Sequence, residues 1–209
     1  MTVIIVLFLL ILLLGLFEKY KHKKNLEKIP LRIYVNGTRG KSTTTRLIAG
    51  GLREAGYKVF AKTTGTEARL IYPDGSEKNI KRRGIPRIIE QVRIISEASK
   101  IEADIIVMEC MALSPEMQWI SEHKMLKSNI GIITNVRYDH CDKMGNTLEE
   151  IAETLALTIP QNGKLVTSEK EYINKFKYIS KKNNTEIYPV KGENIKNKKI
   201  NKFKYPVFK

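Results

Sequence analysis

The sequence predicts an α/β fold, with a mostly parallel sheet built around a phosphate-binding loop and one membrane-spanning helix ahead of it. Three observations carry this. Residues 2–17, TVIIVLFLLILLLGLF, contain no charge. From residue 31 onward, short apolar strand candidates alternate with helix-length amphipathic segments, the pattern of βαβ units. The first strand candidate runs into VNGTRGKSTTTR, residues 35–46, which sets two glycines, a lysine and several hydroxyls between a strand and a helix.

The apolar run comes first. At about 1.5 Å per residue, its 16 residues span roughly 24 Å, slightly less than a hydrocarbon core of about 30 Å; snorkelling and bilayer thinning close such a gap. A secretory signal wants a basic region before the run and a small-residue cleavage site after it. Here only Met1 and Thr2 precede it, and the basic cluster Lys19, Lys21, Lys23 and Lys24 follows. That asymmetry favours a single-pass anchor over 1–17 with everything after residue 18 in the cytoplasm. Residues 18–30 read as a polar linker ending at Pro30, residues 31–190 as the folded domain, and 191–209 as a basic tail.

In the domain, LRIYVN (31–36) is a strand candidate. A helix is predicted from about Lys41 to Ala55, with Gly56 as its stop. YKVFAK (57–62) is the next strand, and YPDGS marks a turn within a small hairpin over 69–83. Ile85, Ile88, Ile89, Val92 and Ile95 recur at helical spacing. DIIVMEC (104–110) and NIGIITN (129–135) are apolar runs of buried-strand type. Ser114 with Pro115 marks a helix start. Thr147 with Glu150, and Ser168 with Glu171, have capping-box spacing, and TEIYPV (185–190) is a last strand candidate.

Composition sets limits on function. The 209 residues carry 37 basic and 22 acidic groups, a formal charge of +15, which points to a polyanionic partner. Residues 164–209 hold 13 lysines and four glutamates. General lysine-rich bias on a solvated surface is the competing account of that tail. No zinc-finger, helix-turn-helix or RNA-binding pattern appears, so nucleic acid is not expected as a partner. Cys110 and Cys141 form no disulfide framework, and the absence of paired C-x-x-C spacing excludes a structural zinc site.

The glycine-rich loop is the strongest chemical signal. Gly37 and Gly40 let the backbone turn tightly and bring N–H groups to an anion at a helix N-terminus. Lys41 reaches terminal phosphates and Ser42 suits Mg²⁺. The general P-loop pattern places a glycine five residues before Gly40, and Val35 stands there, so the motif alone is also compatible with an ordinary turn. Two further strand ends add to it. Glu109 closes DIIVMEC, a costly place for a lone carboxylate and a useful one beside a cation. TNVRYDHCD follows the next strand and brings Asn135, Asp139, His140 and Asp142 into one loop, although His140 alone also fits a loop hydrogen-bonding role.

GTRGKST, the strand-end Glu109 and TNVRYDHCD together resemble the ATP-binding domain of the Mur ligase superfamily, which includes folylpolyglutamate synthase. The anchor, VNGTRGKSTTTRLIAGGLREAGYKVFAKTTGTEARLIY, VMECMAL and NVRYDHCDKMGNTLEEIAETLALTIPQNG are similar to the poly-γ-glutamate synthase branch of capsule biosynthesis. The resemblance runs from residue 1 to about 190. It implies ATP phosphates on Gly37, Thr38, Arg39, Gly40, Lys41, Ser42 and Thr43, with Asn135 also at the nucleotide. It implies Mg²⁺ at Ser42 and Glu109, with His140 at or near a metal, and catalytic roles for Lys41, Glu109 and His140. It implies transfer of the γ-phosphoryl group to a glutamate carboxylate, then attack of a second glutamate amine on the acyl phosphate. Glutamate, the growing poly-γ-glutamate and other membrane subunits are the implied partners. KTTGTEAR (62–69) is a weaker substrate candidate through Thr64, Gly65, Thr66 and Arg69; a threonine-rich connecting loop is its alternative.

Two departures accompany the resemblance. Mur ligases commonly carry a carbamylated lysine in the helix after the DH motif, and TLEEIAETLALTIP has no lysine. Proteins of this branch also continue well past position 209, so the chain is expected to be truncated and weak or inactive in ligation on its own. Two other functions compete with a ligase. Another membrane-linked P-loop NTPase or kinase would release phosphate without a carboxylate and amine pair. A basic membrane scaffold would not need Lys41.

Overall fold

The computed structural model describes residues 1–65, 67–81 and 87–190. Eight strands form one sheet in the order β4-β3-β2-β5-β1-β6-β7-β8. They are β1 (Leu31–Asn36), β2 (Val59–Thr63), β3 (Arg69–Ile71), β4 (Glu77–Asn79), β5 (Ile105–Glu109), β6 (Ile130–Ile133), β7 (Lys164–Thr167) and β8 (Glu186–Pro189). All neighbours pair in parallel except the β2–β3–β4 meander, which is antiparallel. β1 is flanked by β5 and β6, so the connections leaving the two sides of β1 diverge and open a crevice at the carboxyl ends of the strands.

The helices are α1 (Thr2–Glu27), α2 (Lys41–Glu54), α3 (Glu90–Lys100), α4 (Pro115–Ile120), α5 (Cys141–Met144), α6 (Leu148–Ala156) and α7 (Ile173–Lys182). A π-helical turn, Ser121–Leu126, continues α4. Because side chains alternate across a strand, the near-continuous apolar runs feed both faces. Ile33, Val35, Val59, Ala61, Ile105 and Val107 pack with Ala49 of α2. Tyr34, Phe60, Ile106 and Met108 pack on the other face with Ile94, Ile95 and Ala98 of α3. Ile133 and Leu165 continue that face under Ile151, Leu155 and Phe176 of α6 and α7.

The ends of α2 and α6 follow their predicted signals. Gly56, at φ +92°, lets the Tyr57 amide return to Leu52 O at 3.2 Å and closes α2. Thr147 and Glu150 form a capping box at the start of α6. Ser168 and Glu171 do not cap α7, which begins at Ile173; the Ser168 hydroxyl instead donates to Thr134 O at 2.7 Å. Packing against the end of β6 takes that hydroxyl away from its local role. The periodic isoleucines yield a helix that starts at Glu90, with Ile88 and Ile89 in the turn before it and Ile85 outside the described residues. β7 escapes periodicity, since KLVT is too short to show it.

The stretch 18–30, expected as a linker, is helical through Glu27 as the continuation of α1. An 18-residue window of α1 has a mean hydropathy of 2.5 and none of it is buried. Contact with the domain begins at the helix's end. His22 Nε2 lies 2.7 Å from Met125 O, and Leu26 and Ile29 are buried. The Arg32 guanidinium donates to Leu26 O and Ile29 O at 3.2 and 2.7 Å and, on its other edge, to Leu126 O and Lys127 O. A planar donor fork of this kind satisfies the carbonyls left over where a helix ends.

Candidate active site

The loop between β1 and α2 is clamped onto the end of β6. Gly37 has φ +125°, and a Cβ there would lie 2.0 Å from Thr134 Oγ1, so no other residue fits without moving the strand end. Asn135 holds the loop from beneath. Its Oδ1 accepts from Thr38 Oγ1 at 2.7 Å and from the Arg39 amide at 3.1 Å, and its Nδ2 donates to Arg39 O at 3.0 Å. Gly40, at φ +80°, turns the chain into α2. The amides of the first turn of α2 therefore face the crevice with the positive end of the helix dipole.

Lys41 folds back over this loop, its Nζ donating to Gly37 O at 2.8 Å and to Thr38 O at 3.2 Å. Ser42 points the other way, to Glu109. β5 carries Glu109 in register with Val35 of β1, and its side chain is only 2% exposed. Glu109 Oε2 accepts from Ser42 Oγ at 2.8 Å and from the Thr64 amide at 2.7 Å. The carboxylate thus ties together the ends of three parallel elements: β1 through α2, β2 and β5.

Above this point lies a cavity of about 470 Å³. Its walls include Thr38 to Thr43, Thr64, Gly65, Glu109 and His140, so the structure brings most of the predicted site residues together. His140 starts α5 at φ +45°, with its ring half exposed and Nε2 3.9 Å from Asp139 Oδ1. Asp139 also meets the Arg39 guanidinium at 3.4 Å. Gly37 and Asn135 support the loop rather than line the cavity. Arg69 does not reach it either; its guanidinium pairs with Glu67 and Glu77, and Arg46 shares Glu77. Thr66 lies outside the described residues.

The sequence reading overlooked the far wall, made by Cys110, Met111 and Leu113. Burial pushes the Cys110 thiol up, so it is a neutral, inert group there. Behind Met111 lies Lys62, with a fully buried side chain whose Nζ is 3.3 Å from Met111 Sδ and 3.8 Å from Glu90 Oε1. The available signal was a lysine ending the apolar run of β2, the counterpart of Glu109 at the end of β5.

Two hard oxygen donors, the Ser42 hydroxyl and the Glu109 carboxylate, converge below the phosphate loop, a donor set that fits Mg²⁺. Among the described residues, no group of three or more His, Cys, Asp or Glu side chains is gathered as a metal-ligand cluster. Such a site fits an ion that keeps several waters and takes further oxygens from a phosphate substrate.

Known proteins match both the sequence and the fold. Residues 35–207 match the Mur ligase middle domain. Capsule biosynthesis protein CapB of Bacillus anthracis is 46% identical over 200 residues, covering 95% of this chain and 43% of that protein. PGA synthase CapB of Bacillus subtilis is 46% identical over 210 residues, covering 100% of this chain and 53% of that protein. The chain spans about half the length of the curated relatives it matches. Among solved structures, E. coli FolC in complex with ADP superposes with a TM-score of 0.63 at 17% identity, over 82% of this chain and 45% of FolC. A variant of L. casei FPGS superposes with 0.66 at 15%, over 83% and 48%. At these identities the likeness lies in the fold alone. With the loop, the strand-end carboxylate and the DH segment in place on the sheet, this chain belongs to the Mur ligase family through its middle domain.

Proposed function

We propose that the chain is the ATP-dependent ligase domain of a poly-γ-glutamate synthase, acting on glutamate and the growing polymer at the cytoplasmic face of a membrane. The observation that carries this reading is the junction of Ser42, Thr64 and Glu109 beneath the phosphate loop. The relatives at 46% identity add the polymer class, since one is named a PGA synthase and the other a capsule biosynthesis protein. Boundaries follow the sequence reading: an anchor over 1–17, the ligase domain over 31–190, and a basic tail.

The amides of residues 37–43 and the α2 dipole receive the phosphates of ATP. Lys41 exchanges its two carbonyl partners for the β- and γ-phosphate oxygens, where its charge offsets the build-up of negative charge during transfer. Ser42 and Glu109 would hold Mg²⁺, which when bound would supply neutralisation of phosphate charge. The carboxylate oxygen of glutamate attacks phosphorus and ADP leaves. The amine of a second glutamate then attacks the acyl carbon, expels phosphate and loses a proton. His140 is assigned to the metal or to the developing phosphate charge. Thr64 and Gly65, on the rim beside Ser42, are assigned to the acceptor side with Thr66 next to them in the chain, whereas Arg69, held by Glu67 and Glu77, is left out of that assignment. Asn135 serves the nucleotide through the loop it braces. Other membrane subunits of a polymer synthase are the expected protein partners.

Phosphate release is measured with the membrane-embedded chain, alone and with the C-terminal part of the B. subtilis relative supplied in trans. Release that depends on glutamate or its oligomers supports the ligase. Equal release without them favours a plain NTPase. No release, and no nucleotide binding, would leave only a scaffold. Protease protection in intact cells against inverted vesicles tests the topology; a soluble product with a new N-terminus near residue 20 would replace the anchor with a signal peptide.

A further inference from the structure

We infer that the amino-terminal edge of the sheet lies against anionic lipid headgroups, so that the candidate active site opens on the side of the domain turned away from the bilayer. This rests on the reading of residues 2–17 as a bilayer anchor.

The apolar run and the docked root belong to one helix, with no break between them. The domain therefore cannot swing freely beneath its anchor as it would on a flexible linker. The hydrogen bonds of the root fall at the same end of the sheet. His22 meets Met125, just ahead of β6, and Asn25 Oδ1 accepts from Ser99 Oγ at 3.3 Å, at the end of α3 and just ahead of β5. Arg32, at the start of β1, holds the last carbonyls of α1. Residues 2–21 are exposed throughout, so the helix leaves the domain from its amino edge and projects outward.

Distance and charge then define the surface. Four residues of helix separate Glu18 from His22, about 6 Å at 1.5 Å per residue. That is shorter than the Debye length of roughly 8 Å at physiological ionic strength. The edge is thus within electrostatic reach of the headgroups. Lys19, Lys21, Lys23 and Lys24 ring the exit of the helix, the last two sharing Glu27, and exposed Lys28, Lys58, Lys100 and Lys127 extend the positive surface onto the edge around the acidic Glu102 and Asp104. A polybasic segment next to a membrane helix fits an anionic leaflet. The phosphate loop stands at the other end of β1, whose six residues reach about 20 Å at 3.3 Å each. Anionic substrates then enter from the aqueous side, clear of the repulsive lipid surface, and the product leaves on that side too.

The test places a benzophenone photo-crosslinking residue at Lys100 or at Tyr138, an exposed position beside the cavity residue Asp139. The full chain is reconstituted in vesicles of phosphatidylglycerol and phosphatidylcholine, washed with carbonate, irradiated and weighed for lipid adducts. At least tenfold more lipid adduct at Lys100 than at Tyr138 is expected, falling severalfold in pure phosphatidylcholine. Equal or greater adduct at Tyr138, none at Lys100, or no dependence on the anionic lipid would overturn the inference. A carbonate-resistant chain with one of those outcomes leaves the anchor standing and removes only the orientation. A chain extracted by carbonate removes the anchor, and the orientation with it.

Discussion

Ser42 Oγ and Glu109 Oε2 lie 2.8 Å apart although 67 positions separate them in the chain. The bond joins the first turn of α2 to the end of β5, and the Thr64 amide completes it from β2. The hydroxyl and the amide provide the hydrogen bonds that a buried carboxylate requires. The same two side chains, a hydroxyl and a carboxylate, form the oxygen donor pair that the proposed function assigns to a divalent cation.

Replacing Glu109 with glutamine is expected to weaken nucleotide binding in the presence of Mg²⁺ far more than in its absence. The amide keeps the shape and removes the charge a hard cation needs. Titration of ADP with and without Mg²⁺ measures both affinities. Equal losses in the two conditions would make Glu109 a purely structural residue.

Lys41→Ala is expected to lower nucleotide affinity by about 10- to 100-fold, since a charge-assisted hydrogen bond to phosphate is worth roughly 1.5–3 kcal/mol. Stability should barely change, because Lys41 bonds only to carbonyls of its own loop. A shift in Tm of no more than about 2 °C accompanies such a surface change. Wild-type affinity in this variant would refute the assignment of the loop.

Gly37→Ala tests the clamp of the loop on β6. The left-handed φ of +125° and the 2.0 Å approach to Thr134 act together, so the loop must shift. A loss of at least about 2 kcal/mol in stability is expected, within the range for strained backbone positions. Calorimetry reads the stability, and nucleotide titration should show at least a tenfold loss. An unchanged Tm would mean that the strand end yields easily.

Glu122 gives a pH dependence of defined sign. Burial pushes its carboxyl up to about 7 in the folded chain, against an ordinary value of 4.5. The unfolded chain therefore releases this proton first as pH rises, and folded stability falls between about pH 4.5 and 7. The full effect is on the order of 3 kcal/mol. Glu122→Gln should keep the bond from the Ser128 amide, flatten this part of the profile and raise stability at pH 8. Urea melts at pH 5, 6, 7 and 8 measure it; a profile that keeps the wild-type slope would assign the pH dependence elsewhere.

Much of the fold was legible because its signals are local. The strands β1, β5 and β6 are short apolar runs bounded by polar turns. The starts of α2, α4 and α6 carry a glycine-rich loop, Ser-Pro and Thr-x-x-Glu. Local reading failed where a distant partner decides the outcome. Ser168 has capping-box spacing, yet Thr134 O takes its hydroxyl. Arg69 stands beside the expected acceptor loop, yet Glu67 and Glu77 take its guanidinium. Residues 18–30 read as a polar linker, yet α1 continues through Glu27, where Leu26 is buried and Arg32 holds a carbonyl of the helix end.

By itself the sequence determined most of the central strands, the glycine-rich loop, the strand-end carboxylate and the apolar N-terminal helix, because each depends on residue types at short spacing. Only the tertiary structure decided which of these meet. Sheet order sets β5 and β6 on either side of β1, and that brings Glu109, Thr64 and Asn135 to one loop from three separate parts of the chain. It also decided that the helix root and the cavity lie at opposite ends of the strands. Spacing along a chain encodes local hydrogen bonds and faces. Which distant strands become neighbours depends on the burial of whole faces against one another, and no single segment carries that information.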